Sequence, residues 1–357
     1  MTLRTTDNPQ LLAYRVDRPD NLFAAMRRLR GYHYDDALEA PAARGDAAHT
    51  LFWPGCTLSA YSQELTLAVD DYLRQRGLAS AMSVKCCSNI LRYAADGETR
   101  LAFARLLALE LRRCGVRRII AACPNCYNSF RELIGTGDFS GLEVQALSTV
   151  LLEQGERIRA QDIGGTGQGT AGIEAMTPTV CVHDSCPDRP WGVFAESVRG
   201  LFEDAELREM QHHHSRALCC GIGKLLFIRK PAQSRELRQL RQAEFAATGA
   251  KLLVTSCVSC TNAFQNLPNA RHYLELLFGI RIDWSAAVAA GEQAMLEIQA
   301  SLEATPEHTP DAGSSLDAAP EPAPAPAPDA GSSLSADSMS NNGSSPELQP
   351  TPNEARA

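Results

Sequence analysis

The sequence predicts an α/β protein. It should consist of two tandem repeated Rossmann-like units built on parallel sheets and related by a pseudo-two-fold axis, followed by a disordered C-terminal tail. Three observations carry this expectation. Strand-like and helix-like segments alternate through the middle of the chain, as a parallel sheet requires. Ten of the twelve cysteines fall into two sets that share one register. Beyond about residue 302 the composition changes abruptly to Pro, Ala, Ser, Asp and Glu.

The register is tight. Cys56 and Cys186 are 130 residues apart, Cys86 and Cys219 are 133, as are Cys87 and Cys220, and Cys123/Cys257 and Cys126/Cys260 are 134. Gly115/Gly249, Asn128/Asn262 and Phe130/Phe264 also keep the 134-residue offset. A duplicated unit with five thiols explains this pattern.

The organisation that follows has five parts. Residues 1–48 form an N-terminal extension, in which Leu22–Leu29 reads as a short amphipathic helix that packs on the first unit or binds a partner. The first cysteine-rich unit spans 49–155. A Gly-rich linker spans 156–178, and the second cysteine-rich unit spans 179–285. The acidic tail, 303–357, has too little apolar surface to order itself.

In the first unit, His49–Trp53 reads as a strand ending at Cys56, and 59–76 as an amphipathic helix. A short strand, 80–84, leads to Cys86-Cys87. A helix over 98–114 is capped by Gly115. A buried strand, 118–122, delivers Cys123, and a helix follows from Pro124. In the second unit, strand 179–182 leads to Cys186. Helix 191–202, strand 207–210, helix 232–247, strand 252–255 and a helix near Cys257 complete the repeat. The cysteines therefore fall at the carboxyl ends of strands, where open α/β sheets place their ligands. Gly164–Gly169 lacks the spacing and the Lys-Ser/Thr end of a phosphate loop and reads as linker.

The 357 residues suffice for two ordinary cores. The first residues contain no apolar signal segment, and no run of 18 apolar residues occurs. A cytoplasmic protein is expected, at most peripheral to a membrane complex, with its thiols reduced. The net charge of -8 is carried by the tail, where nine acids face one base; the first 302 residues balance at 33 of each sign. No basic patch suggests nucleic acid.

Three chemistries suit five patterned thiols. Zinc wants four thiolates, usually from two C-x₂₋₄-C knuckles, and each unit has one. Thioredoxin-like exchange fits strand–Cys123-Pro124-Asn125-Cys126–helix, but explains none of the other three thiols. An iron–sulfur cluster suits thiolates converging from several strand ends, although an ordinary cubane leaves a fifth thiol over. Neither C-x-x-C is followed by His, which excludes a c-type haem.

Two copies of C-x₂₉₋₃₂-C-C-x₃₅₋₃₆-C-x-x-C resemble the CCG cysteine-rich domain family, to which the cysteine-rich subunit of heterodisulfide reductase belongs. The His183-Asp184-Ser185-Cys186 run is similar to the family's lead-in to its second motif. The resemblance covers about residues 50–280. It implies a noncubane 4Fe-4S cluster on each five-cysteine motif, which accounts for the surplus thiol. One cluster would use Cys56, Cys86, Cys87, Cys123 and Cys126; the other would use Cys186, Cys219, Cys220, Cys257 and Cys260. It further implies an iron–sulfur oxidoreductase subunit acting in thiol/disulfide chemistry or electron transfer. In that role Cys219 and Cys220 are the leading catalytic candidates. Ser88 departs from the motif's glycine, which Gly221 keeps. The sequence has no C-x₂-C-x₂-C-x₃-C run, so electrons are expected from ferredoxin-type or flavoprotein partner subunits. An electron relay from a flavin-dependent 2-hydroxy-acid or glycerol-3-phosphate dehydrogenase towards quinone is the alternative, and a zinc-stabilised scaffold is the non-enzyme reading.

Among other residues, His183 is either a donor to cluster sulfur or a satisfied strand-end histidine. Lys224 either attracts an anionic substrate or is an ordinary surface lysine. Cys114 and Cys181 read as buried small hydrophobes, and His212–His214 as a solvated loop.

Overall fold

The computed structural model describes residues 49–87, 89–94, 97–135, 137, 139–163, 177–289, 293 and 296. The expected Leu22–Leu29 helix, Ser88, the Gly164–Gly169 linker and the acidic tail lie outside these residues. β1 (Thr50–Trp53), β2 (Ala81–Met82), β3 (Arg118–Ala121) and β4 (Glu143–Ala146) form one sheet in the order β2-β1-β3-β4. β5 (Thr179–His183), β6 (Glu206–Leu207), β7 (Leu252–Thr255) and β8 (Ala270–His272) form a second in the order β6-β5-β7-β8. Every pairing is parallel, and the registers correspond: Trp53 lies opposite Ala121 as His183 lies opposite Thr255. β1 and β7 are buried along their whole length, as strands covered on both faces by helices must be.

Most expected elements are present, with informative differences. The 59–76 helix is two helices, Cys56–Tyr61 and Gln63–Gln75. Ser62 between them has extended backbone (φ -150, ψ 98), and its hydroxyl accepts the Leu65 N–H at 3.2 Å. Serine satisfies the new helix start locally instead of continuing the first helix. The expected strands 80–84 and 207–210 shorten to residue pairs. The 191–202 helix runs only Val193–Gly200, because Gly192 (φ 66) turns the chain before it. The edge strands β4 and β8, and the helices that follow them, Leu147–Glu153 and Tyr273–Phe278, were not legible in the sequence.

The two units share a core. One apolar cluster joins Leu58, Leu65, Val69 and Leu151 of the first unit to Val182, Val198, Val254 and Tyr273 of the second. Each sheet keeps a further cluster on its other face, one around Trp53 and Phe130 and one around Phe264. The contacts between units are reciprocal. Leu147–Glu153 packs on Val193–Gly200, and Tyr273–Phe278 packs on Gln63–Gln75. Trp191 Nε1 donates to Asn128 Oδ1 at 2.7 Å, and Asn262 Nδ2 donates to Tyr61 Oη at 3.3 Å. Tyr61 and Trp191 each stand five residues after their unit's first cysteine, and each asparagine stands two after its unit's last. Such an exchange is what a pseudo-two-fold axis produces. Among the described residues no helix is long and apolar enough to cross a membrane.

Candidate metal centre

The first thiol set is assembled at the carboxyl end of its sheet. After β1, Pro54-Gly55 turns the chain so that Cys56 opens a helix. Gly55 has φ +80, and a Cβ there would lie 2.9 Å from Cys123 Cβ and 3.2 Å from Cys126 Sγ. Only glycine allows this close approach. β3 delivers Cys123 as the N-cap of the Pro124–Ile134 helix, which places Cys126 one turn further on. Cys86 and Cys87 follow β2. All five thiols line one cavity of about 100 Å³. Cys126 and Cys86 thiols donate to Cys87 and pull it down to about 6 against burial, which acts the other way.

The second set repeats the first. Cys186 follows β5, Cys257 caps the helix after β7, and Cys260 lies within that helix. Cys186, Cys220, Cys257 and Cys260 line a second cavity. Cys219 is tied in by hydrogen bonds with Cys186 and Cys220. Those thiols, with the N–H groups of Gly221 and Gly223, hold Cys219 well below the usual thiol range. Gly221 has φ +94, and a Cβ there would sit 2.3 Å from the carbonyl oxygen of Ser234. Its own carbonyl accepts the Ser234 hydroxyl at 2.8 Å, so the paired-cysteine turn is fastened to the Pro231–Thr248 helix. That is the physical reason for glycine after the two cysteines.

The two sets meet. The Cys123 and Cys257 thiols are hydrogen-bonded across the pseudo-axis, and Cys123 is held well below its usual range by Cys126 and Cys257 together. Asn125 Nδ2 approaches Cys257 Sγ at 4.0 Å. Asn89, Tyr93, Asn125, Gly223, Lys224 and Ser259 line both cavities. Lys224 and Leu225 adopt φ +62 and +56, a left-handed conformation costly for side-chain-bearing residues. The Lys224 side chain is exposed at the rim of both cavities.

Around the second set, His183 is fully buried, and burial followed by the neighbouring Arg241 charge lowers it to about 3, so it is neutral. Arg241 is also fully buried and forms an ion pair with Glu244. Burial alone would raise Asp184; instead Arg199, at 2.6 and 3.0 Å, and the His214 N–H hold its carboxyl low. The histidine run, expected as a solvated loop, is half-buried and held by hydrogen bonds. His212 bonds Glu244 at 2.6 Å, and the His214 backbone bonds Asp184. Glu209, His213 and His214 place potential ligand atoms within 4.8 Å of one another, but Arg199 already engages Glu209. Cys181 is fully buried, as a small hydrophobe; Cys114 is only half-buried. Sequence reasoning missed Trp53, Arg241 and the glycines Gly55 and Gly223. Trp53 stands where His183 stands, three residues before the first cysteine, which is a positional cue that chemical unlikeness conceals.

None of the twelve cysteines is joined in a disulfide. Two clusters of five thiols each suit a soft metal or a metal–sulfur group rather than a hard cation.

The model of a family described as "Cysteine-rich domain" (CCG) matches this chain twice, at residues 50–131 and 180–265. No curated protein matches. Among solved structures, the Picrophilus torridus aspartate racemase aligns at 11% identity and a TM-score of 0.30, over 69% of this chain and 93% of that one. An aspartate racemase homologue from Pyrococcus horikoshii aligns at 10% identity and 0.29, over 68% and 99%. A putative Asp/Glu racemase from Yersinia pestis aligns at 12% and 0.32, over 69% and 99%. Likeness at this level bears on neither fold nor activity.

Proposed function

Because the chain carries two tandem copies of the cysteine-rich domain, we propose that it is an iron–sulfur subunit of a multi-protein oxidoreductase, similar to the cysteine-rich subunit of heterodisulfide reductase, with two noncubane 4Fe-4S clusters. The reading rests on one observation: the five thiols of the first repeat line one cavity, four of the second line another with Cys219 hydrogen-bonded to two of them, and the two sets adjoin at Cys123 and Cys257. Cys56, Cys86, Cys87, Cys123 and Cys126 would hold one cluster. Cys186, Cys219, Cys220, Cys257 and Cys260 would hold the other. When bound, the clusters supply single-electron transfer.

The chain's own residues supply the rest. Gly55 and Gly223 let the backbone approach the thiols of the first and second sets closely, and Gly221 lets the paired-cysteine turn pack on Ser234. Lys224 places a cation beside the entrance, which favours an anionic thiol or disulfide. Reduction of a disulfide consumes two electrons and two protons and releases two thiols. The electrons come from a ferredoxin-type or flavoprotein partner, since the sequence holds no ferredoxin motif.

Anaerobic purification with iron, sulfide and zinc quantified is the test. About eight irons and eight sulfides per chain are expected. Zinc at stoichiometric level with no sulfide overturns the reading.

A further inference from the structure

Leaving a buried N–H group without an acceptor is costly, and native proteins seldom tolerate it. Trp53 Nε1 and His183 Nε2 are both buried and without a hydrogen-bond partner. Both residues are fully excluded from solvent. They occupy the same position in the two units: the last residue of the lead strand, three before the first cysteine of the set. Among the described residues, no other unpartnered buried side-chain atom recurs at equivalent positions in the two units.

Their surroundings are also equivalent. Trp53 packs edge-on against Phe130 at 5.1 Å and 87°, and His183 edge-on against Phe264 at 5.0 Å and 77°. Phe130 and Phe264 each stand four residues after the last cysteine of their set. A ring nitrogen of His183 lies within 4.8 Å of both Cys220 and Cys260 Sγ. Trp53 belongs to the same packed cluster as Cys87 and Cys126, the counterparts of those two thiols.

The histidine tautomer is fixed by its neighbour. Arg241 Nε and Nη2 approach His183 Nδ1 at 3.4 and 3.3 Å. A guanidinium only donates, so Nδ1 accepts and the ring hydrogen sits on Nε2. That arrangement excludes metal ligation through Nε2, which would need the hydrogen on Nδ1. Tryptophan in the matching position has a donor and no acceptor at all. Two chemically unlike residues thus carry the same group, a ring N–H, at equivalent positions beside equivalent pairs of cysteines.

We infer that Trp53 Nε1–H and His183 Nε2–H are the built-in hydrogen-bond donors to the sulfur of the first and second metal centres, with Arg241 as the positioning residue that holds His183 in the donating tautomer. The inference rests on the cluster reading above. Donors to cluster sulfur stabilise the more negative, reduced form, so each sets the potential of its own cluster.

The test uses the full, anaerobically loaded chain. In the wild-type protein, electron–nuclear double resonance after exchange into D₂O should show one strongly coupled exchangeable proton at each cluster. Trp53→Phe should abolish that signal at the first cluster and lower its reduction potential, leaving the second unchanged. His183→Phe should do the converse, with the iron content retained in both. Iron-loaded wild type without an exchangeable coupled proton overturns the inference and leaves the cluster reading standing. So do variants with full iron and unshifted potentials. A wild-type chain that takes up no iron and sulfide overturns both.

Discussion

Gly221 shows how much one position can decide. Its φ of +94 and the 2.3 Å gap between an added Cβ and the Ser234 carbonyl oxygen leave no room for a side chain. Gly221→Ala should cost on the order of 2–3 kcal/mol and deplete iron at the second centre while sparing the first, measured by thermal melting and site-resolved EPR. Arg241 is a second such position, since removing one partner of a buried ion pair costs about 3–5 kcal/mol. Arg241→Gln should lower the melting temperature and also change the potential of the second cluster alone, which a merely structural loss would not do. The sequence made the cysteines legible because ligation constrains residue type as well as position. It hid Trp53 because the constraint there falls on a single N–H, which tryptophan and histidine satisfy equally. Arg241 was hidden for another reason: only the folded chain brings the middle of a long helix beneath the end of β5.

At the level of elements, long periodic helices and fully buried strands were readable, and short edge strands were not. β4 and β8 alternate apolar and polar residues over three or four positions and carry no distinguishing composition. Ser62 looked like an ordinary helix residue, because serine is tolerated in helix interiors as well as favoured at helix starts. Its hydroxyl caps the Gln63–Gln75 helix, so Ser62→Ala should destabilise the protein by about 1 kcal/mol, while Ser62→Asp should not. Calorimetric melting of the pair separates this from loss of packing. The break falls beside a contact between the units: Tyr61, the last residue of the Cys56–Tyr61 helix, accepts the Asn262 hydrogen bond.

The molecule as a whole is two copies of one plan fused through a common apolar layer. Leu58, Leu65, Val69 and Leu151 face the second unit, so a single unit would expose them to water. Residues 49–163 produced alone should therefore lack cooperative unfolding, whereas the full chain should unfold in one transition, as scanning calorimetry would show. The repeat was visible in the cysteine spacing, but this shared layer was not, since spacing carries no information on which faces pack together. The same reciprocity brings the two thiol sets together at Cys123 and Cys257, and it makes them separately addressable. Mössbauer spectroscopy of ⁵⁷Fe-grown wild type, Cys87→Ala and Cys220→Ala is the direct measurement. Sulfide-bridged iron at two sites in the wild type, with one site lost in each variant and the other intact, is the predicted result. Full iron in both variants, or zinc bound by the thiolates with no sulfide in the wild type, would contradict it.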